Sequence, residues 1–436
     1  MSTGQPGSFT VGGGRPLTGS ITVPGDKSIS HRALLLAALA DGTSSITGLS
    51  LGDDVTRTRM AIAAMGATIE GEGTSVEVHG GRARLAAPVG VIDLGNSGTG
   101  MRLIAGMAAT LPGKTTLTGD SSLCTRPMDR VALPLARMGA SVVGQGERCL
   151  PPLSITGGEL RGIDYTTPMA SAQVKGAVLL AGLDADGETV VRESVTTRAH
   201  TEEMLDAAGA AISVDDGPDG RVVRLRRSVL QPVDWAIPGD PSQAAFWVVG
   251  AIVTPDSRIT VRHIHLGPER IGFLRVLGRM GARIEVTESG PDTGDVTASS
   301  ASLVGTVIEA AEIPSLDEVP ILAVAAMAGR GSTRFRDVGE LRVKESDRLA
   351  GTAALVASFG GRATIEGNDL VVEGDSAFLP GSLDAHGDHR MAMAAAVAAV
   401  AGASREPSTI TGWEAVATSY PGFDTTLAAL SDRSER

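Results

Sequence analysis

One phrase recurs along this chain at nearly constant intervals, and it constrains the fold more than any other feature. A glycine closes an amphipathic stretch, and alternating polar and apolar residues follow. The phrase stands at Met65-Gly66-Ala67, Met138-Gly139-Ala140, Ala208-Gly209-Ala210, Met280-Gly281-Ala282 and Phe359-Gly360-Gly361. Successive glycines are 73, 70, 72 and 79 residues apart. A glycine with positive φ is a common way to end a helix, and period-two alternation marks a strand. Each phrase therefore predicts a helix end leading into a strand.

Upstream of the phrases lie stretches of small and apolar residues, at 30–40, 99–110, 173–183, 242–253, 319–328 and 389–401. A helix that is apolar on every face needs cover all round, so these are predicted to be buried. Strand-like runs follow most of them, at 44–47, 114–117, 189–191, 258–261 and 332–335. The last unit, from about residue 386, lacks the closing phrase and reads as truncated. Two units open in nearly the same words, Val23-Pro24-Gly25-Asp26-Lys27-Ser28 and Ile237-Pro238-Gly239-Asp240-Pro241-Ser242. Three units lie between these openings and three after the second. The expectation is an α/β fold of two similar domains. One spans 24–238, the other is discontinuous (1–23 and 239–436), and the chain crosses near Pro24 and Pro238.

Composition narrows the function classes. Aromatic residues make up 3% of the chain, so aliphatic cores are expected. The net charge of −12 argues against a nucleic-acid binder, which needs a broad basic face. It leaves room for anionic small molecules, because a local Arg and Lys cluster binds phosphate inside an acidic protein. Only Lys27, Lys114, Lys175 and Lys344 are lysines. Cys124 and Cys149 are too few for a stapled secreted scaffold, and reduced thiols in a cytoplasmic protein are expected. Residues 1–15 are rich in Gly and Ser with no apolar core, unlike a signal peptide. The Ala-rich run 391–403 is too short for a membrane span.

The charged residues gather where the apolar helices begin. Helix N-termini present free N–H groups and a positive dipole end, which suit anions. Asp26-Lys27-Ser28-Ile29-Ser30-His31-Arg32 opens the first helix, and Gly95-Asn96-Ser97-Gly98-Thr99-Gly100-Met101-Arg102 feeds the second through a glycine-rich turn. Ser171-Ala172-Gln173 precedes the third, and Asp388-His389-Arg390 the sixth. The glycine spacing at 95–100 is not the dinucleotide fingerprint. Gly113-Lys114-Thr115 lacks the upstream glycine of a P-loop and reads as a strand start. Loops supply Arg126 and Arg198. Leu341-Arg342-Val343-Lys344-Glu345-Ser346-Asp347-Arg348 mixes bases and acids; on a helix, Lys344 and Arg348 would share a face. His386 and His389 have no third ligand nearby, so no metal is expected. His263 and His265 alternate in a strand-like run and read as structural.

Together these motifs resemble a known family. They are Pro-Gly-Asp-Lys-Ser-Ile-Ser-His-Arg (24–32), Gly-Asn-Ser-Gly-Thr (95–99), Pro-Met-Ala-Ser-Ala-Gln-Val-Lys (168–175), Leu-Asp-Glu-Val-Pro (316–320), Leu-Arg-Val-Lys-Glu-Ser-Asp-Arg-Leu (341–349) and Asp-His-Arg-Met-Ala-Met (388–393). Over about residues 16–430 the chain resembles the 5-enolpyruvylshikimate-3-phosphate synthases, a branch of the enolpyruvyl transferases. The Ser-Ala-Gln-Val-Lys wording is similar to the branch that holds the glyphosate-tolerant enzymes. The resemblance implies two domains of three βαβαββ-type units each, an inside-out α/β barrel. Their buried helices would be parallel, with N-termini facing an interdomain cleft that closes on substrate with hinges near Pro24 and Pro238. It implies transfer of the enolpyruvyl group of phosphoenolpyruvate to the 5-hydroxyl of shikimate 3-phosphate. Phosphate is released through a tetrahedral intermediate, as a step of the shikimate pathway of aromatic amino acid biosynthesis. Neither metal nor organic cofactor is implied; the partners are the two small substrates, without nucleic acid or membrane, and a monomer is expected.

By matching motif, Lys27, Ser28, Arg32, Ser171, Gln173, Arg198, Asp317 and Lys344 resemble the shikimate 3-phosphate contacts. Lys27, Gly98, Arg126, Gln173, Arg348 and Arg390 resemble the phosphoenolpyruvate contacts. Asp317 resembles the base that takes the 5-hydroxyl proton, with Lys27 nearby, and Glu345 the acid that protonates the methylene, a role that needs a raised pKa. Some relatives carry a lysine where Thr418 stands, and some a second serine where Ala172 stands. Gly98 is Ala in a tolerant relative, and a methyl there would crowd glyphosate more than phosphoenolpyruvate, so inhibition by glyphosate is expected. A UDP-N-acetylglucosamine enolpyruvyl transferase is the nearest rival, but that enzyme has Lys-Asn at the first motif and a differently spaced Cys. A catalytically inactive enzyme-like module is the other alternative, and intact Lys27, Asp317 and Glu345 argue against it.

Overall fold

The computed structural model describes residues 7–431. The chain forms two compact units, Gly25–Ile237 and Met1–Pro24 with Pro238–Arg436. Within Gly25–Ile237, three helices made of small and apolar residues are buried along nearly their whole length: Lys27–Leu39, Gly98–Ala108 and Ala172–Gly182. Glycine lets two of them meet closely. A Cβ on Gly106 would fall 2.2 Å from the backbone oxygen of Ala177, inside any allowed contact. Around the helices stand three separate four-stranded sheets.

The sheets share one plan. Lys114–Thr118 runs parallel to Val91–Asp93 and antiparallel to Leu150–Thr156, which pairs onward with Ser141–Gln145. Asp164–Thr166, Glu188–Glu193, Gly220–Arg226 and Ile212–Gly217 repeat that order. The buried helix links the two parallel strands, and an amphipathic helix leads to the hairpin. The repeated glycine sits at that second junction: Gly66, Gly139 and Gly209 all have positive φ, at 115°, 111° and 79°. In the first sheet the leading parallel strand is Trp235–Ala236, which returns from the far end of the segment to Thr43–Thr47.

The other unit follows the same plan with the helices Pro241–Val253, Val319–Ala328 and His389–Ala401 at its centre. Here Thr18–Thr22 supplies the leading strand beside Arg258–His265. The sixth repeat does lack its hairpin, but it is completed from elsewhere. Ser8–Gly12 lies antiparallel to Pro407–Thr411, so part of the Gly-rich head is a strand. Residues 1–6 of that head lie outside the described residues. The helices are inside and the sheets outside, and no strands close into a barrel among the described residues.

Two expectations need correction. The cores are not uniformly aliphatic: all seven Phe residues belong to the unit that includes Pro238–Arg436. Phe9 stacks on Trp413 at 4.1 Å and Trp247 on Phe423 at 4.4 Å, and the Trp247 indole donates to the Tyr420 hydroxyl at 3.2 Å. These rings cluster at the repeat that lacks a hairpin, where large side chains supply the missing apolar area. His263 and His265 also do not simply alternate. The strand bulges between Val261 and Ile264, His263 has φ of 51°, and Ile264 and His265 are both buried.

Candidate active site

In the Gly25–Ile237 unit, the starts of the buried helices carry most of the expected residues. Asp26 caps the first helix by accepting from the Ile29 amide, and Lys27 follows as its first residue. The Lys27 ammonium reaches Asp54 at 3.0 Å. Arg32, one turn on, is buried and donates to the Ser28 carbonyl at 2.9 Å, the Thr201 hydroxyl at 2.7 Å and the Ala172 carbonyl at 3.5 Å. Arg198 donates to the Ser28 hydroxyl at 3.0 Å. Ser171 caps the third helix, accepting from the Val174 amide at 3.3 Å. Ser28, Arg32, Arg198 and the Ser171 turn therefore form one contact chain.

A second chain runs through the Gly98 helix. Gln173 accepts from Arg102 at 2.5 Å and donates to the Thr99 hydroxyl at 2.9 Å. Arg126 holds Asn96 by both its side chain and its carbonyl, and donates to Ser122 at 3.1 Å. A methyl on Gly98 would fall 3.2 Å from the Arg102 guanidinium and 3.3 Å from that of Arg126. The glycine keeps this helix start open between two guanidinium groups. Asp120 holds Asn96 from the other side at 2.8 Å. Lys27, Arg32, Arg102, Arg126 and Arg198 make five positive charges. Asp26, Asp54 and Asp120 make three negative ones, so the helix starts keep two positive charges in excess.

His31 lies among these groups, wholly buried, with Nδ1 2.8 Å from the Thr58 hydroxyl. Burial first, and then the charges of Lys27 and Arg32, hold its pKa well below the ordinary histidine value despite Asp26. It stays neutral and adds no charge.

The remaining expected residues belong to the other unit and gather on Asp317. Arg348 reaches the Asp317 carboxylate at 3.0 Å, Arg390 at 3.4 Å and Lys344 at 3.7 Å. Arg390 also donates to the Asp317 carbonyl at 3.3 Å. Arg348 is buried and pairs with Glu345 at 2.7 Å and with Asp388, the cap of the His389 helix. Three cations here face three carboxylates, so this set is balanced where the other is positive. Leu316, next to Asp317, has φ of 57°, a strained conformation for a branched apolar side chain.

Lys344 and Arg348 do not share a helical face. Residues Gly339–Val343 form a 3-10 turn, the backbone is extended at Lys344, and the helix starts afresh at Arg348 with Asp347 as cap. The two cations meet through Asp317 instead. Thr418 lies at the start of the His389 helix, its hydroxyl 3.0 Å from His389 Nδ1 and 2.8 Å from the Ala415 carbonyl, which accepts its proton. Asn96, Arg102, Thr201 and Asp388 are site neighbours that sequence reasoning did not single out. Asn96, Arg102 and Asp388 did stand in the quoted motifs, while Thr201 gave no local signal. The one cluster of potential metal ligands among the described residues, Glu70, Glu77 and His79, stands on the strands Thr68–Glu70 and Ser75–His79 and does not involve His386 or His389. No helix among the described residues is long and apolar enough to cross a membrane.

In one unit two acids lie among planar guanidinium forks, and in the other the helix starts carry surplus positive charge; each set is of the kind by which enzymes handle small molecules bearing phosphate and carboxylate. The family model described as EPSP synthase (3-phosphoshikimate 1-carboxyvinyltransferase) matches residues 11–427. A 3-phosphoshikimate 1-carboxyvinyltransferase of Methylobacterium radiotolerans is 44% identical, covering 98% of each chain. One of Shouchella clausii is 43% identical over 95% of this chain and 96% of its own. The solved EPSP synthase of Acinetobacter baumannii superposes with a TM-score of 0.85 at 38% identity, covering 97% of this chain and 98% of its own. The enolpyruvyl transferase NikO of Streptomyces tendae shares the fold, with a TM-score of 0.77 at 21% identity over 97% and 96% of the two chains. The chain belongs to the EPSP synthase family.

Proposed function

We propose that this chain transfers the enolpyruvyl group of phosphoenolpyruvate to the 5-hydroxyl of shikimate 3-phosphate, releasing phosphate. The observation that carries the reading is the charge distribution. Five cations against three carboxylates stand at the helix starts of Gly25–Ile237, while Asp317 and Glu345 are held by arginines in the other unit. The first set suits the phosphate and carboxylate groups of two anions, and the second supplies two carboxyl groups for proton transfer once the arginines turn to substrate.

In this reading Lys27, Ser28, Arg32, Ser171, Gln173 and Arg198 hold shikimate 3-phosphate with Asp317 and Lys344. Lys27, Gly98, Arg126, Gln173, Arg348 and Arg390 hold phosphoenolpyruvate. Asp317 takes the 5-hydroxyl proton as the oxygen bonds to C2 of phosphoenolpyruvate, and Glu345 gives a proton to the methylene carbon. The resulting ketal carries both substrates, and loss of phosphate with a proton from the new methyl group restores the double bond. Arg348 pairs with both Asp317 and Glu345, and Arg390 pairs with Asp317. A phosphate dianion offers those guanidinium groups a stronger partner than a carboxylate does, which frees the two acids for proton transfer. The catalytic work is positioning and charge stabilisation.

The test is phosphate release from shikimate 3-phosphate and phosphoenolpyruvate, beside a UDP-N-acetylglucosamine control. Turnover with the first pair alone is expected. Turnover only with the sugar nucleotide, or none with either, would overturn the assignment.

A further inference from the structure

Lys175 is the one charged residue of the helix Ala172–Gly182, two residues after Gln173, and its side chain is fully buried. Its ammonium is 2.7 Å from Glu193 Oε2 and 2.7 Å from Glu202 Oε1. Both carboxylates are buried, and Arg221 approaches Glu202 Oε1 at 3.3 Å. Buried charges need good pairing to be tolerated, and an apolar side chain would fill this helix position more simply. The placement of the two carboxylates shows what the charge accomplishes.

Glu193 ends the strand Glu188–Glu193, and Glu202 lies in the first turn of the helix His200–Ala207. Between them runs the segment that carries Arg198. Glu193 uses its other oxygen to accept from the Thr197 hydroxyl, next to Arg198. Glu202 follows Thr201, whose hydroxyl accepts from Arg32. One ammonium thus holds both ends of the 194–199 segment, and that segment places Arg198 on Ser28.

We propose that Lys175 is a positioning residue for recognition of shikimate 3-phosphate. Through Glu193 and Thr197 on one side and Glu202 on the other, it fixes where Arg198 and Arg32 present their guanidinium groups. The proposal rests on the reading that Ser28, Arg32 and Arg198 hold that substrate. It adds that the buried charge cluster behind them sets its affinity while leaving phosphoenolpyruvate and the chemical step alone.

The test compares Thr197→Val, Thr197→Ser and Lys175→Met with the wild type by steady-state kinetics in both substrates, with thermal unfolding as the measure of folding. Thr197→Val keeps the shape and removes the donor. It is expected to raise KM for shikimate 3-phosphate about tenfold, with kcat and KM for phosphoenolpyruvate within about twofold of wild type. Thr197→Ser keeps the hydroxyl and is expected to match the wild type. Lys175→Met, in its folded fraction, is expected to raise the same KM at least as far. Unchanged KM in Thr197→Val and in folded Lys175→Met overturns the proposal. So does a loss in which only kcat falls, in step with the folded fraction, since that marks a merely structural role. If Lys175→Met does not fold, Thr197→Val decides alone. Wild type without turnover in these substrates overturns the functional reading itself, and turnover with unmoved variants overturns only the role of Lys175.

Discussion

The guanidinium of Arg348 lies along the carboxylate of Asp388, with Nε 2.7 Å from Oδ2 and Nη2 3.2 Å from Oδ1, and both side chains are buried. Asp388 also caps the His389 helix by accepting from the Arg390 amide at 2.9 Å. The pair therefore fixes three things at once: a helix start, the direction of Arg390, and the arginine that touches Asp317 and Glu345.

Removing one partner of such a pair leaves a buried charge uncompensated. Arg348→Met is expected to destabilise the chain by about 3–5 kcal/mol, read by urea unfolding at neutral pH. Arg348→Lys keeps the charge and loses the fork, so a smaller loss is expected. A Met variant as stable as the wild type would show that the surroundings do not depend on the pair.

The pH dependence of stability should show two separate windows. His31 has a folded pKa below its ordinary value of 6.5, so the unfolded chain binds a proton that the folded one refuses. Its contribution is complete above the unfolded pKa and is lost as pH falls below it. Burial, the largest single influence, and Glu345 push the Asp388 carboxyl up, but the charge and hydrogen bond of Arg348 together with His389 outweigh them, and the net pKa lies below the ordinary 3.8. That contribution is present above the unfolded value and is lost only as pH falls through the folded one. Denaturation midpoints should therefore decline first as pH drops from about 6.5 towards 5, and again below about 4. His31→Gln should flatten the first decline and leave the second; an unaltered first slope would remove His31 as its source.

Glu345→Gln keeps the size of the side chain and removes its titration. If Glu345 is the proton donor, kcat should fall by about 10²–10⁴-fold, with much smaller changes in KM for either substrate. Steady-state kinetics against both substrates read this directly, and a kcat near that of the wild type would exclude the role.

Gly98→Ala places a methyl 3.2 Å from Arg102 and 3.3 Å from Arg126, both flexible tips, at a φ that any residue accepts. The variant should fold, with stability within about 1 kcal/mol of wild type. The wild type is expected to be inhibited by glyphosate. In the variant the inhibition constant should rise by a larger factor than KM for phosphoenolpyruvate. Equal factors would show that the methyl does not discriminate between the two ligands.

Much of the fold is legible along the chain because it depends on local rules. The glycines that end the amphipathic helices have positive φ at Gly66, Gly139, Gly209, Gly281 and Gly360, as a helix ending in the left-handed region requires. The helix 319–328 begins and ends where its run of apolar residues does, and 389–401 ends with its own, since such a run can exist only under full cover. The charged helix starts were likewise readable, because capping residues and basic residues stand side by side in the sequence.

What the sequence could not provide are the meetings between distant residues. Trp235–Ala236 and Thr18–Thr22 complete sheets far from their own repeats, and Ser8–Gly12 supplies a strand to the last one, because an exposed sheet edge takes whichever strand the packing brings to it. Lys344 and Arg348 suggest a shared helical face by spacing, but Asp317, 31 residues before Arg348, is what joins them. Lys175 reads as a lone lysine in an apolar helix until Glu193 and Glu202 are placed against it. Local sequence determines periodicity, helix ends and burial, since each depends on neighbours a few bonds away. Which charges compensate one another depends on through-space distances of about 3 Å, and only the folded chain sets those.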